Sequence, residues 1–227
     1  MTQWERFLDT FFNRDVIVQY LPAIGKGFIV TCELAVLVVI SGIGLGLILA
    51  IVRAYQVKVI NFLIVIVVDI LRSLPPLVLI LMLFFGLSNV GLNLSGFAVV
   101  WLVLSMVLAA FAEEIFWAGI TSVNKGQWEA ARSTGLSYTK ALVYVVLPQA
   151  VRLTIPPLTN RTIAITKNTA LGMVIGVGEI LGQASTAQSF SSNASPMMMG
   201  AVAYVLLFIP VVYAGRWIET RFAWKKA

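Results

Sequence analysis

Between residues 27 and 52 the chain carries a single charge, Glu33, in an otherwise apolar run. As a helix rising about 1.5 Å per residue, such a run crosses ~30 Å of hydrocarbon with some tilt. Four further stretches, 59–87, 97–120, 150–177 and 197–217, are long and apolar enough to do the same. Of the 227 residues only 11% are charged and 59% are hydrophobic, whereas a soluble domain covers itself with charges at roughly a quarter of its positions. The apolar surface is therefore expected to face lipid, and the chain to be an all-α, polytopic membrane protein with five transmembrane helices.

The same inventory removes several kinds of chemistry. There is no histidine, so acid–base catalysis by imidazole, Ser-His-Asp triads and His-ligated zinc are all excluded, and no metal site is expected. The one cysteine, Cys32, allows no internal disulfide. No Gly-rich phosphate loop ending in Lys-Ser/Thr is present, so any ATP and Mg must be bound by another chain. The excess of 16 basic over 10 acidic residues is read as loop charge in a membrane protein, not as a nucleic-acid surface.

Along the chain, residues 1–26 read as an N-terminal amphipathic segment at the membrane interface. Phe7, Leu8, Phe11 and Phe12 are interleaved there with Glu5, Arg6, Asp9, Arg14 and Asp15. The apolar run starts too late for a cleavable signal. The transmembrane domain is expected over 27–217, followed by a basic tail over 218–227. Gly42 and Gly46 make a small-x-x-x-small face suited either to packing within the chain or to a subunit contact. The second span holds Asp69 and Arg72 and is expected to kink or break at Pro75-Pro76. Glu113 and Glu114 lie in the third span. The fourth, with Arg152, Asn160, Arg161, Lys167 and Asn168, is polar enough that protein should cover it.

Five spans put the termini on opposite sides. The loops 88–96 and 178–196 contain no Lys or Arg, while Arg53, Lys58, Lys125, Arg132, Lys140 and the tail are basic. The positive-inside rule therefore places the N-terminus outside, against Arg6, Arg14 and Lys26. No repeat of 20 to 50 residues is evident, nor an inverted repeat of the kind secondary transporters show.

The longest polar stretch, 121–148, is then cytoplasmic. It reads as helix, turn, helix: Glu129-Ala130-Ala131 in a short helix with a small face, Gly135 ending it, and Ser137 capping a second helix that Pro148 stops. Such an element suits docking into a partner's groove, although any polytopic protein needs cytoplasmic loops.

At these residues the chain resembles permease subunits of binding-protein-dependent ABC importers. The family signature is Glu-Ala-Ala, three residues, Gly, nine residues, a β-branched aliphatic, one residue, Leu-Pro. Every element is in register here from Glu129 through Gly135 to Leu147 and Pro148, with Val145 where Ile is more usual. The runs 72–77, 112–116, 125–131, 147–150 and 167–171 look like the polar amino-acid branch, which includes histidine, glutamine, glutamate, arginine and opine permeases. Trp117 where Arg is common, the apolar stretch 107–109, and Asn168 in place of a frequent Asp depart from that branch.

The resemblance implies a non-catalytic subunit of an ATP-driven importer in the bacterial inner membrane. It pairs with a second permease subunit, identical or paralogous, and docks on two ATP-binding subunits. A periplasmic binding protein delivers a polar amino acid. Glu129, Ala130, Ala131, Gly135, Leu147 and Pro148 would form the ATPase-coupling element. Candidates for the substrate path, among the intramembrane polar residues that also include Glu33, are Asp69, Arg72, Glu113, Glu114, Asn160, Arg161, Lys167 and Asn168. The same residues can simply neutralise one another: Asp69 with Arg72, and Arg161 or Lys167 with Glu113 or Glu114. The competing readings are a self-contained secondary transporter or channel for small polar solutes, or a structural subunit of a membrane complex. Neither needs a docking helix of this form.

Overall fold

A computed structural model describes residues 2–222, so part of the basic tail, including Lys225 and Lys226, lies outside the described residues. The described residues are helical almost throughout. The elements are α1 (Gln3–Phe12), α2 (Arg14–Ala54), α3 (Lys58–Ser73), α4 (Pro76–Asn89), α5 (Gly96–Ser122), α6 (Lys125–Ser133), α7 (Tyr138–Ala141), α8 (Leu147–Lys167), α9 (Ile180–Ser191) and α10 (Ser195–Phe222). A π-turn over Leu142–Val146 joins α7 to α8, and a 3-10 segment, Asn168–Ile175, follows α8.

Among the described residues, four continuous helical stretches are long and apolar enough to cross a membrane, and a fifth span results if α3 and α4 count as one bent pair. The break between them falls at Leu74-Pro75, where the chain is extended and Pro76 opens α4. This is the position at which a proline's missing donor does least harm. The first long helix starts earlier than the apolar run suggests. It begins at Arg14, because the Asn13 side chain accepts hydrogen bonds from the backbone of Asp15 and Val16 and so starts a new helix after α1. Pro22 is carried inside it.

The chain divides into two compact units. The first takes residues up to Val38, Pro75–Leu104 and Ile165–Val212. Its core joins Ile24 of α2 to Ile180 and Ala184 of α9 and Ala203 of α10. Within it α1 is tied to the α9–α10 turn: Asn193 Nδ2 donates to the Asp9 carbonyl, Ala194 N to Thr10, and Asn13 N to Ser195 Oγ.

The second unit takes Val39–Leu74, Ser105–Ala164 and the residues from Tyr213 onward. Its core joins Ala50 and Ala54 of α2, Ala112, Phe116 and Ile120 of α5, Leu142 and Val146 of the π-turn, and Ala150 of α8. Gly42 and Gly46 serve packing within the chain. A Cβ on Gly42 would lie 2.8 Å from Leu108 Cβ, and one on Gly46 would lie 2.6 Å from Ala112 Cβ. Only glycine lets the α2 and α5 backbones come this close.

Candidate functional site

The stretch 121–148 folds in the second unit. Asn124 caps α6 by accepting from Gly126 N at 2.8 Å. Glu129 and Ala130 are exposed, whereas Ala131 is buried, so the small face of the motif is split between the surface and the mount beneath it. Gly135 turns the chain with φ +85°, a backbone conformation that costs any residue with a Cβ. Ser137 then accepts from Lys140 N and starts α7.

The helix does not stop at Pro148. Proline's ring clashes with the carbonyl four residues earlier, and here the preceding backbone loosens into a π-turn in which Leu147 N donates to the Leu142 carbonyl. Helix α8 therefore starts at Leu147 and carries Pro148 in its first turn.

Aromatic residues fix α6 in place. The Trp128 and Tyr138 rings stack with centroids 5.1 Å apart, and the Tyr138 hydroxyl donates to the Ala54 carbonyl at the end of α2. Beside them opens a groove of about 600 Å³ lined by Gln56, Trp117, Thr121, Trp128, Glu129 and Tyr138 among others.

Most of the candidate path residues are also in the second unit; the expected Asp69–Arg72 pair forms there, whereas Glu113 and Glu114 take partners other than Arg161 or Lys167. Glu113, with no exposed surface, accepts from a single Arg53 nitrogen at 3.0 and 3.2 Å. The Arg53 guanidinium lies 4.7 Å from the Trp117 ring centroid. Glu114 is ion-paired with Arg72, which also lies 3.8 Å from Asp69. Arg161, expected as a neutraliser of Glu113 or Glu114, instead covers the face of Phe111 at 3.8 Å, and Arg72 lies 5.3 Å from that ring's centroid. Asn160 donates to the Pro156 carbonyl of its own helix.

The other candidates fall in the first unit. Lys167 is exposed, with its Nζ 5.7 Å from the Phe208 ring centroid, and Asn168 opens the 3-10 segment. Glu33 is exposed on α2. The buried carboxylate of this unit is Glu179, which caps α9. It accepts from Leu181 N at 2.9 Å, Gly182 N at 2.7 Å and the Tyr204 hydroxyl at 2.6 Å. Burial pushes its carboxyl above the ordinary glutamate value, and the Tyr204 hydroxyl and the two backbone donors oppose that shift. The neighbouring Ile180 N donates to Thr31 Oγ1 of α2.

The profile of the binding-protein-dependent transport system inner membrane component family matches residues 42–224. The chain belongs to this family. Among curated permeases, the probable glutamine ABC transporter permease protein GlnP of Bacillus subtilis (strain 168) is 34% identical over 207 residues, spanning 89% of this chain and 95% of that protein. The L-cystine transport system permease protein TcyB of the same organism is 35% identical over 178 residues, spanning 78% of this chain and 76% of that one. A chain in the crystal structure of an amino acid ABC transporter with histidines superposes with a TM-score of 0.82 at 32% identity, over 90% of this chain and 96% of that one. The inward-facing MetNI methionine ABC transporter, at 20% identity and a TM-score of 0.71 over 93% of this chain and 99% of that one, shares the fold. This permease is thus an inner-membrane component of a transport system, related to amino-acid ABC permeases.

Four residues of these sites escaped sequence reasoning. Arg53 reads as a loop charge because it ends an apolar run, and nothing local announces a partner on α5. Tyr138 and Trp128 lie 10 positions apart and meet only because Gly135 reverses the chain. Glu179 had a visible signal: it is the sole charge between residues 178 and 196.

Proposed function

We propose that this chain is the transmembrane subunit of an ATP-driven importer that passes a polar amino acid from a periplasmic binding protein into the bacterial cytoplasm. It acts with a second permease subunit, identical or paralogous. Two separate ATP-binding chains hold ATP and Mg, so the permease itself catalyses nothing. The N-terminus lies outside and the stretch 121–148 inside. The observation that carries this reading is the α6 geometry: Glu129 and Ala130 face outward on a helix mounted through buried Ala131 and the Trp128–Tyr138 stack. A small, outward, rigidly held surface is what docking into another protein's groove requires. The substrate path is assigned to Asp69, Arg72, Glu113, Glu114 and Arg161 of the second unit, with Asn160, Lys167, Asn168 and the exposed Glu33 as further candidates. A zwitterion needs one partner of each sign, and this set supplies both.

The test is ATP-driven uptake in proteoliposomes containing the assembled importer. Ala130→Trp alters the outward face alone and should abolish uptake while membrane insertion persists. Gly135→Asp should do the same by straining the turn. Uptake that survives Ala130→Trp would sink the docking assignment, and uptake by the permease chain alone, without ATP-binding subunits, would favour a secondary transporter.

A further inference from the structure

Contacts in the second unit run without interruption from the motif helix to a buried carboxylate. Trp128 of α6 stacks on Tyr138 of α7. The Tyr138 hydroxyl donates to the carbonyl of Ala54, the last residue of α2. The residue before it, Arg53, has its own carbonyl held by Asn61 Nδ2 of α3 at 3.2 Å. Its guanidinium grips a single turn of α5, donating to Glu113 and covering Trp117 four residues on. On that turn Glu114 takes Arg72, an arginine of the polar set.

We propose that the Arg53–Glu113 pair is a positioning joint for energy coupling, registering the mount of α6 on the turn of α5 that presents Glu113 and Glu114. The inference rests on α6 being the ATPase-docking helix and goes beyond it by naming the residues that carry the docked helix's motion inward. Stability alone does not account for such a pair. Taking two charges out of water costs most of what their attraction returns, and an apolar pair of similar size would hold α2 against α5 as well. What an apolar pair cannot do is fix one register, because it slides where an ion pair cannot. A slip of one turn along α5 would separate Arg53 from both Glu113 and Trp117. Continuity of contact becomes coupling only if both ends bias one element, and a mutant cycle measures that.

The experiment uses the full importer, purified with its ATP-binding subunits and reconstituted with its binding protein. Three changes are compared with wild type: Arg53→Met/Glu113→Leu, which replaces the pair by apolar groups; Tyr138→Phe, which keeps the ring stack and removes one hydrogen bond; and all three substitutions together. Retention of the ATP-binding subunits reports docking. The ratio of ATPase rates with and without loaded binding protein reports coupling, and an unchanged substrate concentration for half-maximal stimulation separates lost coupling from lost substrate contact at Glu113. The subunits should remain bound, and the ratio should fall by about tenfold for the apolar pair, within the usual range of coupling between sites. Tyr138→Phe should lower it less, and the triple variant no further than the apolar pair, since all three residues belong to one chain of contacts. An unchanged ratio in the assembled apolar-pair complex, or losses that simply add, would overturn the joint. A wild-type chain that retains no ATP-binding subunits would overturn the docking reading, and the joint with it.

Discussion

Each unit of this permease buries one glutamate completely, and the two are accommodated in opposite ways. Glu113 in the second unit is held by a cation, Arg53. Glu179 in the first is held by neutral donors, a tyrosine hydroxyl and two backbone N–H groups at the start of α9. A buried carboxylate tied to an arginine is committed to its partner's position. One that accepts from neutral dipoles can take up a proton and keep its place, so the first is a constraint on register and the second a cap that tolerates neutralisation.

The largest effect expected from breaking this contrast is that of Arg53→Met alone. It strands Glu113 without its cation and should cost about 3–5 kcal/mol in detergent unfolding, most of which Glu113→Leu added to it should return. Gly46→Leu attacks the same site through its geometry. A side chain there meets Ala112 Cβ at 2.6 Å, forces α2 away from α5, and should cost about 1–3 kcal/mol in the same measurement.

On the neutral side, Glu179→Gln keeps a capping oxygen and should cost about 0.5–2 kcal/mol, as for loss of part of a helix cap. Its signature is in the pH dependence. Burial raises the Glu179 carboxyl above its unfolded value, so its contribution is fully present below the ordinary glutamate pKa and is lost as pH rises through the folded one. Thermal unfolding followed from mildly acidic to neutral pH should show that loss in wild type and in Arg53→Met, and a flatter profile in Glu179→Gln. Equal slopes in all three would erase the distinction between the two carboxylates. The smallest effect is assigned to Lys167→Met, at less than about 1 kcal/mol, because an exposed cation beside Phe208 gains little.

The spans were legible because crossing a bilayer asks only for length and the absence of charge, and the runs 59–87, 97–120, 150–177 and 197–217 correspond to α3 with α4, α5, α8 with the 3-10 segment, and α10. The motif from Glu129 to Pro148 was legible because its spacing is local. Which arginine meets which glutamate was not. Arg53 and Glu113 are 60 positions apart, and their meeting depends on the close approach of α2 to α5 that Gly42 and Gly46 allow, a face that the sequence shows without naming what lies against it. Helix α9 escaped for a different reason. Its Ser, Gln, Ala and Gly residues carry no apolar periodicity, and Glu179 is buried by the fold around it rather than by its neighbours in sequence.

The π-turn before Pro148 leaves one continuous helical shaft from Tyr138 into α8. A loop at that junction would act as a slack hinge and absorb a push. A helix resists torsion, so turning α7 must turn the start of α8 with it. The one-residue surplus of the π-turn lets a proline sit in a drive shaft without becoming a joint.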